Sequence, residues 1–416
     1  MAGEPLNYEL FGHFDMPCGL KISAENTARH LTEHGERVRL HSVKRSVIRT
    51  DPQLAPGRTV NLIHLNPPEF RASLAFPHED PCFEDRLNVC VPFWELPRVP
   101  DSWLPVLANM DLVLVPTQFV ADAVGASLPD LPIALIPQGA DIPDGISSDR
   151  ERFGLPKDAV IYGTSFVAGA VVERKNPWAA IGAFRRAFPS EQDVRLVVRA
   201  SPGDVADPRP LWDRLMQYAE YDERVVIPEQ NMSYLDVLSL YASFDVYLSL
   251  HRAEGLGLGM MESMTLGVPV IATGWSGNMD FTTSDNSLLV DFELRPIDVG
   301  SFGPYGQRVM GTAESWAQAD VDDAAAKIRM LYDDQSLRLT LGERAKRDML
   351  ERRVVAERAD FVTAVRAFYD SHPIDGAQHG QKARGLRGVE RFEQLRYPIY
   401  ESRRLAGAAL RKLGLR

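Results

Sequence analysis

Short apolar runs alternate along most of the chain with longer stretches in which apolar residues recur at helical spacing. Glycine, proline and asparagine bound many of these runs, as they bound strands. Residues 23–34 repeat with a helical period and stop at Gly35, as an amphipathic helix does. The runs that we predict to be strands are 8–11, 37–42, 60–65, 88–93, 112–116, 160–166, 193–200, 225–228, 246–250 and 268–272. Strands that alternate with helices predict an α/β protein with parallel sheets.

The stretch 244–273 carries the most specific pattern. It predicts a buried strand, a glycine-rich turn at 254–259, a short helix stopped by Gly267, and a second apolar strand. Glu254 lies in the turn, and Glu262 follows after seven intervening residues, within the first two turns of the helix. Helix N–H groups receive phosphate, and a carboxylate accepts from two adjacent sugar hydroxyls. A nucleotide sugar has both a phosphate group and adjacent sugar hydroxyls.

Two simpler interpretations compete with a ligand turn. Gly255 and Gly257 resemble the opening of a dinucleotide fingerprint, but that pattern requires a small residue where Met260 stands. Alternatively, Glu254 begins a helix and Glu262 lies on a solvated face, which is the commonest position of glutamates. The flanking strands and glycines together favour the ligand turn.

Composition narrows the range of partners. The chain has 416 residues, 45% of them hydrophobic, and a formal net charge of −11, which argues against nucleic acid as the main partner. Cys18, Cys82 and Cys90 lack metal-site spacing, and the N-terminus has no apolar signal segment, so we expect a reduced, cytoplasmic protein. No apolar run approaches the roughly twenty residues that cross a bilayer.

The segment EGLGLGMMESMTLGVPVIAT resembles the Glu-x7-Glu signature of retaining GT-B glycosyltransferases, the glycosyl transferases group 1 family. The runs LVLVP-TQFVADAV and ALIPQGADI resemble the segments that end the family's N-terminal domain. The similarity extends over residues 8–370. It implies two Rossmann-like α/β domains facing each other across a cleft. The expected parts are an acceptor-side domain at 1–145, a nucleotide-sugar domain at 146–355, a helix at 356–381 crossing back, and a basic tail at 382–416.

The resemblance assigns roles on the donor side. It implies that Glu262 holds the ribose and that Glu254 contacts the transferred sugar near its anomeric centre. Lys175 and Arg174, just before a predicted helix, would neutralise the departing diphosphate. The family usually has an arginine where this chain has Gly169, so either Arg174 substitutes for it or the role of that arginine is absent. Three turn residues are expected to approach the donor as well: Gly19, Gly257 and Leu258.

On the N-terminal side, His64 and Asn66 lie near the C-terminal end of the predicted strand 60–65, where parallel sheets place ligands. Many relatives carry a histidine after the strand equivalent to 88–93, whereas this chain has Trp94 and Glu95. We therefore expect Glu254, Glu95 and His64 to be catalytic, with Trp94 and Asn66 contacting the sugar or acceptor. The alternative is that Trp94 is a core residue and Glu95 pairs with a nearby arginine.

Two further features bear on the chemistry. Ser276 and Asn278 lie in a turn that faces the predicted cleft, and they either contact the acceptor or simply form the turn. The Asp320-x-Asp322 pair stands at a predicted helix start, where capping explains both acids. We therefore expect no metal site and no cofactor beyond the nucleotide-sugar substrate.

The last residues differ from the acidic remainder. From residue 382 onward there are ten Lys or Arg and three Glu. Leu405, Ala409 and Leu413 are spaced four apart among cations, as in a basic amphipathic segment. This pattern predicts contact with an anionic membrane surface, or else a helix packed on the N-terminal domain or a disordered tail.

The resemblance implies a retaining, metal-independent glycosyltransferase. The expected donor is GDP-mannose, by similarity to polysaccharide mannosyltransferases, and the expected acceptor is a glycan or lipid-linked saccharide in surface polysaccharide synthesis. The expected location is the cytoplasm or the inner face of the plasma membrane. A nucleotide-sugar epimerase on the same fold and a non-catalytic nucleotide-sugar-binding subunit are the alternatives.

Overall fold

The computed structural model describes residues 4–14, 19–42, 58–74, 83–167, 172–201, 209–228, 232–297, 314–358, 361–372 and 379–389. Within these ranges the chain forms two parallel sheets of six strands each and a separate antiparallel pair. Helices connect the parallel strands. The α/β class and the division into two sheet domains are confirmed.

The N-terminal sheet has the strand order β2-β1-β3-β4-β5-β6. Its strands are β1 (Asn7–Gly12), β2 (Arg37–Ser42), β3 (Thr59–His64), β4 (Leu87–Cys90), β5 (Leu112–Val115) and β6 (Ile133–Leu135). The helices are α1 (Gly19–Glu33), α2 (Pro67–Leu74), α3 (Leu104–Leu107) and α4 (Gln118–Gly125). Both faces of the sheet are apolar. Leu10 and Leu62 belong to one core cluster, while Phe11 and Ile63 belong to another, because adjacent strand residues point to opposite faces.

The C-terminal sheet has the order β12-β11-β10-β7-β8-β9. Its strands are β7 (Val160–Val167), β8 (Val194–Ser201), β9 (Val225–Val226), β10 (Val246–Ser249), β11 (Val270–Thr273) and β12 (Ser287–Val290); β13 (Phe292–Pro296) and β14 (Ser315–Ala319) form the antiparallel pair. The helices are α5 (Val172–Lys175), α6 (Pro177–Ala187), α7 (Arg209–Tyr221), α8 (Tyr234–Ala242), α9 (Leu258–Thr265) and α10 (Val321–Asp333). β7 and β10 are neighbours in this parallel sheet. Because α5 follows β7 and α9 follows β10, the two helices begin at the same edge of the sheet.

The chain then returns to the N-terminal domain. α11 (Gln335–Arg358) is followed by α12 (Phe361–Ser371). Val362 and Val365 of α12 are buried in the same cluster as Leu10, and Arg366 Nε donates to Glu36 Oε1 at 2.8 Å. α12 therefore packs on the N-terminal domain.

A further helical segment, 379–389, spans the predicted boundary at residue 382. Ala383 and Leu386 are buried in the N-terminal core cluster, and Lys382 Nζ donates to Met110 O at 2.9 Å. His379 lies 3.0 Å from an oxygen of Asp111. The start of the predicted tail is therefore a helix packed on the N-terminal domain, while residues 390–416 lie outside the described ranges. None of the helices in those ranges is both long and apolar enough to span a bilayer.

Candidate active site

Segments of both domains converge at the predicted ligand turn. β10 leads into residues 250–257, α9 begins at Leu258, and α5 ends at Lys175 beside them. From the N-terminal domain, the segment after β4 approaches the same point. Gly255 has no room for a side chain, because a Cβ there would lie 2.7 Å from the carbonyl oxygen of Trp94. Gly257 precedes α9 with φ of 94°, a left-handed conformation that favours glycine.

Glu254 lies at the centre of a buried ion cluster. Its Oε2 is 3.2 Å from Arg174 Nη1, and its Oε1 accepts a hydrogen bond from Lys175 Nζ. Burial alone would raise the pKa of this carboxyl, but Lys175 and Arg174 outweigh burial and lower the pKa to about 2. Glu254 is therefore ionised throughout the physiological range. An ionised carboxylate at this position can stabilise positive charge on a ligand.

Lys175 is the more accessible of the two cations. Its side chain is 22% exposed, compared with 6% for Arg174. Burial lowers the pKa of Lys175, and Glu254 opposes this shift. An anion that enters from solvent therefore reaches Lys175 before it reaches the guanidinium.

Glu95 completes the cluster from the N-terminal domain. Its Oε1 is 3.3 Å from Arg174 Nη2, so the carboxylate pairs with an arginine of the other domain and not with its sequence neighbour Arg98. Arg174 thus stands between carboxylates of two domains.

Ser276 positions Glu254 through the backbone. The Ser276 hydroxyl accepts a hydrogen bond from Glu254 N at 2.8 Å. Ser276 has φ of 80°, a strained conformation for a residue with a side chain. Such strain costs roughly 1–3 kcal/mol and persists only where the surroundings enforce it. The predicted cleft turn is thus tied directly to the Glu254 turn.

Asn278 is committed to the scaffold. Its amide donates to Thr273 O and Thr282 Oγ1, both at 3.1 Å, and its Oδ1 lies 3.0 Å from His251 Nε2. The geometry supports the alternative that Asn278 forms the turn. His251 is fully buried, and the sequence analysis did not predict it as a site residue. Its position just after a predicted strand was the only feature of the sequence that could have indicated it.

Glu262 lies one helix turn into α9 and is 4% exposed. Tyr234 OH donates to Glu262 Oε1 at 2.7 Å, a pairing that the sequence did not indicate. Burial raises the pKa of Glu262 to about 7, and the hydrogen bond from Tyr234 opposes the shift. The two glutamates of the motif therefore have opposite protonation tendencies.

His64 is the last residue of β3 in the N-terminal domain and is fully buried. Its Nε2 is 3.3 Å from Ser23 Oγ, which also lies 3.3 Å from Gln138 Oε1. Burial lowers the pKa of His64 to about 4, so the ring is neutral at physiological pH. His64 Nδ1 has no hydrogen-bond partner in the described part of the chain.

Asn66 and Trp94 have structural roles in this arrangement. Asn66 Oδ1 accepts from Phe93 N at 2.8 Å and so ties the segment after β3 to the segment after β4. Trp94 is 3% exposed, packs against Trp103 and donates to Arg98 O at 2.7 Å. The expectation that Trp94 offers an apolar face to a sugar gives way to the core alternative, because its ring is covered by protein.

Some predicted parts cannot be placed. Gly19 opens α1, but residues 15–18 of the preceding turn lie outside the described ranges, as does Gly169. Asp320 caps α10 through hydrogen bonds from Asp322 N and Asp323 N, as capping predicts. Among the described residues no group of acids, histidines and cysteines has a metal-binding arrangement.

Comparison with known proteins places this geometry in context. The family model "Glycosyl transferases group 1" matches residues 164–295, which is less than half of the chain but includes the Glu254 turn and α9. None of the curated proteins matches. Sucrose-phosphate synthase of Thermosynechococcus elongatus has a similar structure, with a TM-score of 0.60 at 15% identity, over 88% of this chain and 100% of that chain. The fold is GT-B.

Two other structures share the GT-B fold. Anabaena HepE, solved with UDP and glucose, has a TM-score of 0.57 at 16% identity over 87% of this chain and 99% of that chain. A variant of TarM from S. aureus, solved with Fondaparinux, alpha-GlcNAc-glycerol and UDP, has a TM-score of 0.51 at 14% identity over 75% of this chain. The alignment covers 55% of TarM, so this chain spans about half the length of that protein.

Proposed function

We propose that the chain is a retaining glycosyltransferase that moves a sugar from a nucleotide sugar to a glycan or lipid-linked saccharide. One observation carries the proposal: Glu254, Lys175 and the start of α9 meet between two GT-B domains, within the region that matches the family model. A carboxylate, a cation and a helix N-terminus at one point suit a ligand that is both sugar and diphosphate.

On the donor side, Glu262 and Tyr234 would hold the ribose. A buried carboxylate with one donor already in place can accept from a ribose hydroxyl, and the Tyr234 hydroxyl can turn to accept from the other. Lys175 would face the diphosphate, since it is the more exposed cation. The roles of Glu262 and Lys175 are those that the family resemblance implies.

During transfer, the bond between the anomeric carbon and a phosphate oxygen breaks, and its electron pair goes to the diphosphate. The acceptor hydroxyl oxygen bonds to the anomeric carbon, and one proton is released with the nucleoside diphosphate. Lys175 stabilises the negative charge that grows on the phosphate, and ionised Glu254 stabilises positive charge on the sugar ring. We propose that this cationic side chain makes a metal ion unnecessary.

For the donor we propose GDP-mannose and, as a second candidate, a UDP-sugar. The first follows from the motif resemblance, and the second is favoured by the UDP bound in two structures of the same fold. We further propose a role in surface polysaccharide synthesis at the inner face of the plasma membrane.

Ligand-dependent melting tests the donor. Nucleoside diphosphates and nucleotide sugars of both bases are added in turn, and the true donor should raise the melting temperature by mass action. Nucleotide release with acceptor then separates a transferase from a binding subunit, and conversion of the sugar without acceptor would indicate an epimerase. The rate should be unchanged by a chelator.

The Lys175→Ala variant identifies the catalytic cation. Because its charge matters most as the diphosphate leaves, turnover should fall about 10²-fold or more, with a smaller change in donor affinity. Lys157→Ala, an exposed lysine of the same domain, is the matched control. Normal turnover by Lys175→Ala would move the diphosphate site elsewhere.

A further inference from the structure

The turn that carries Glu254 is fastened to the N-terminal domain by more than one contact. The Thr117 hydroxyl donates to Gly255 O at 2.8 Å, and the carbonyl oxygen of Trp94 lies against Gly255 Cα. The third contact runs through Arg174, which lies between Glu95 and Glu254. The position of the Glu254 turn is therefore linked to the position of the other domain.

The two terminal nitrogens of Arg174 contact protein atoms on both sides of the domain boundary. Nη1 donates to Ala253 O at 2.8 Å and lies 3.2 Å from Glu254 Oε2, while Nη2 lies 3.3 Å from Glu95 Oε1. The residue is 5% exposed. A diphosphate that took Nη1 or Nη2 would displace the carboxylate paired with that nitrogen, which would then lose a buried partner.

We propose that Arg174 is a positioning residue that couples domain closure to the placement of Glu254. Its guanidinium joins Glu95 of the N-terminal domain to Glu254 of the C-terminal domain, and Lys175 alone faces the diphosphate. This inference rests on the proposed function and revises the role that the resemblance gave to Arg174.

The charges explain why the link responds to closure. With the domains together, one cation lies between two carboxylates, and Lys175 holds the other oxygen of Glu254. If the cleft opens, Glu95 withdraws and water reaches the guanidinium, which weakens its hold on Glu254. Arg174 and Lys175 then orient Glu254 differently from the closed arrangement. Closure thus assembles the charged side of the site, as substrate-induced closure does in other enzymes.

The test uses Arg174→Gln, Glu95→Gln and the double variant of the full chain. Calorimetry with UDP and GDP should give dissociation constants within about twofold of the unaltered protein, because neither side chain binds diphosphate. Turnover at saturating donor should fall about tenfold or more in each single variant, since a misplaced group can cost that much. The double variant should be no slower than the slower single variant, because the two residues act as one unit.

Arg252→Gln is the matched control. It removes a positive charge two residues from Glu254, but its guanidinium donates to Gln318 at 3.0 Å and lies over Trp316. It should leave turnover and binding unchanged. Arg174→Lys keeps the charge and covers the case in which Arg174→Gln does not fold. It should leave the affinity unchanged and restore only part of the rate.

Two results would overturn the inference. One is an Arg174→Gln protein that binds diphosphate roughly tenfold more weakly while Glu95→Gln turns over normally, which would make Arg174 a diphosphate ligand. The other comes from X-ray scattering without substrate: both variants should have a larger radius of gyration, and an unchanged radius would contradict the link. The scattering experiment tests the Arg174 link even if no nucleotide binds. A lack of nucleotide binding would refute only the proposed function.

Discussion

At the scale of single residues, the two glutamates of the motif show how surroundings decide chemistry. Both are buried, but Glu254 has two cations within contact and Glu262 has a phenol. The pKa falls to about 2 for Glu254 and rises to about 7 for Glu262. One side chain thus serves as a permanent charge, and the other exchanges a proton near neutral pH.

The raised pKa of Glu262 predicts that donor binding depends on pH. The ionised carboxylate accepts from ribose hydroxyls, whereas its protonated form has lost part of that capacity. Affinity for the nucleoside diphosphate should therefore rise about tenfold between pH 6 and pH 8, as expected for a carboxyl that must lose its proton near pH 7. Calorimetry across this range measures it.

The control for that prediction is Glu262→Gln. The glutamine of this variant cannot ionise, whereas the phosphate of the ligand still can. Subtracting the pH profile of the variant from that of the unaltered protein therefore isolates the contribution of the Glu262 carboxyl. The variant should bind more weakly at pH 8, by roughly 1.5–3 kcal/mol for lost charged hydrogen bonds. Parallel pH profiles of the two proteins would contradict the assignment of Glu262 to the ribose.

Local pattern and motif resemblance were enough to single out Glu254, Glu262, Arg174 and Lys175. They could not show that Glu95 reaches Arg174 and not Arg98, because that choice depends on how two domains meet. The Tyr234–Glu262 pair likewise joins the starts of two helices that pack only in the folded domain. Contacts between distant segments leave little trace in one sequence.

At the scale of elements, the alternation of strands and helices follows from the pattern more closely than the strand ends do. Residues 88–93 were predicted as one strand, but β4 ends at Cys90. Pro92 has no N–H to donate, so the ladder cannot continue past it. Pro228 shortens β9 in the same way. The segment that follows β4 carries Glu95 to the cleft.

The helical segment 379–389 is predicted to stabilise the N-terminal domain. Leu386 is fully buried in the core cluster, so Leu386→Ala should lower the free energy of unfolding by about 2–5 kcal/mol. Arg384→Ala on the exposed side of the same segment is the control and should change it by less than about 0.5 kcal/mol. Chemical denaturation measures both. Equal stability of the two variants would show that the segment is not docked in solution.

At the scale of the whole molecule, the C-terminal part of the chain holds the two domains together. In α11, Arg352 Nε donates to Gln138 O and its Nη1 donates to Asp280 O, each at 2.9 Å. Trp316 of the C-terminal domain is buried in a cluster of the N-terminal domain. Arg352, Trp316 and the Arg174 link thus join the two domains at separate places.

The basic residues after this docked segment are predicted to bind an anionic membrane. Residues 390–416 contain seven Lys or Arg and three Glu. Each cation near an anionic surface contributes about 1 kcal/mol, so their sum suffices for reversible binding. Because 379–389 packs on the N-terminal domain, a chain ending at residue 389 should melt like the full chain but lose co-sedimentation with phosphatidylserine vesicles. A full-length variant with Arg403, Arg404, Arg411 and Lys412 changed to Gln should behave in the same way. Binding that survives in both would exclude the tail as the membrane contact, and a lowered melting temperature of the 389 chain would indicate that 390–416 packs on the protein.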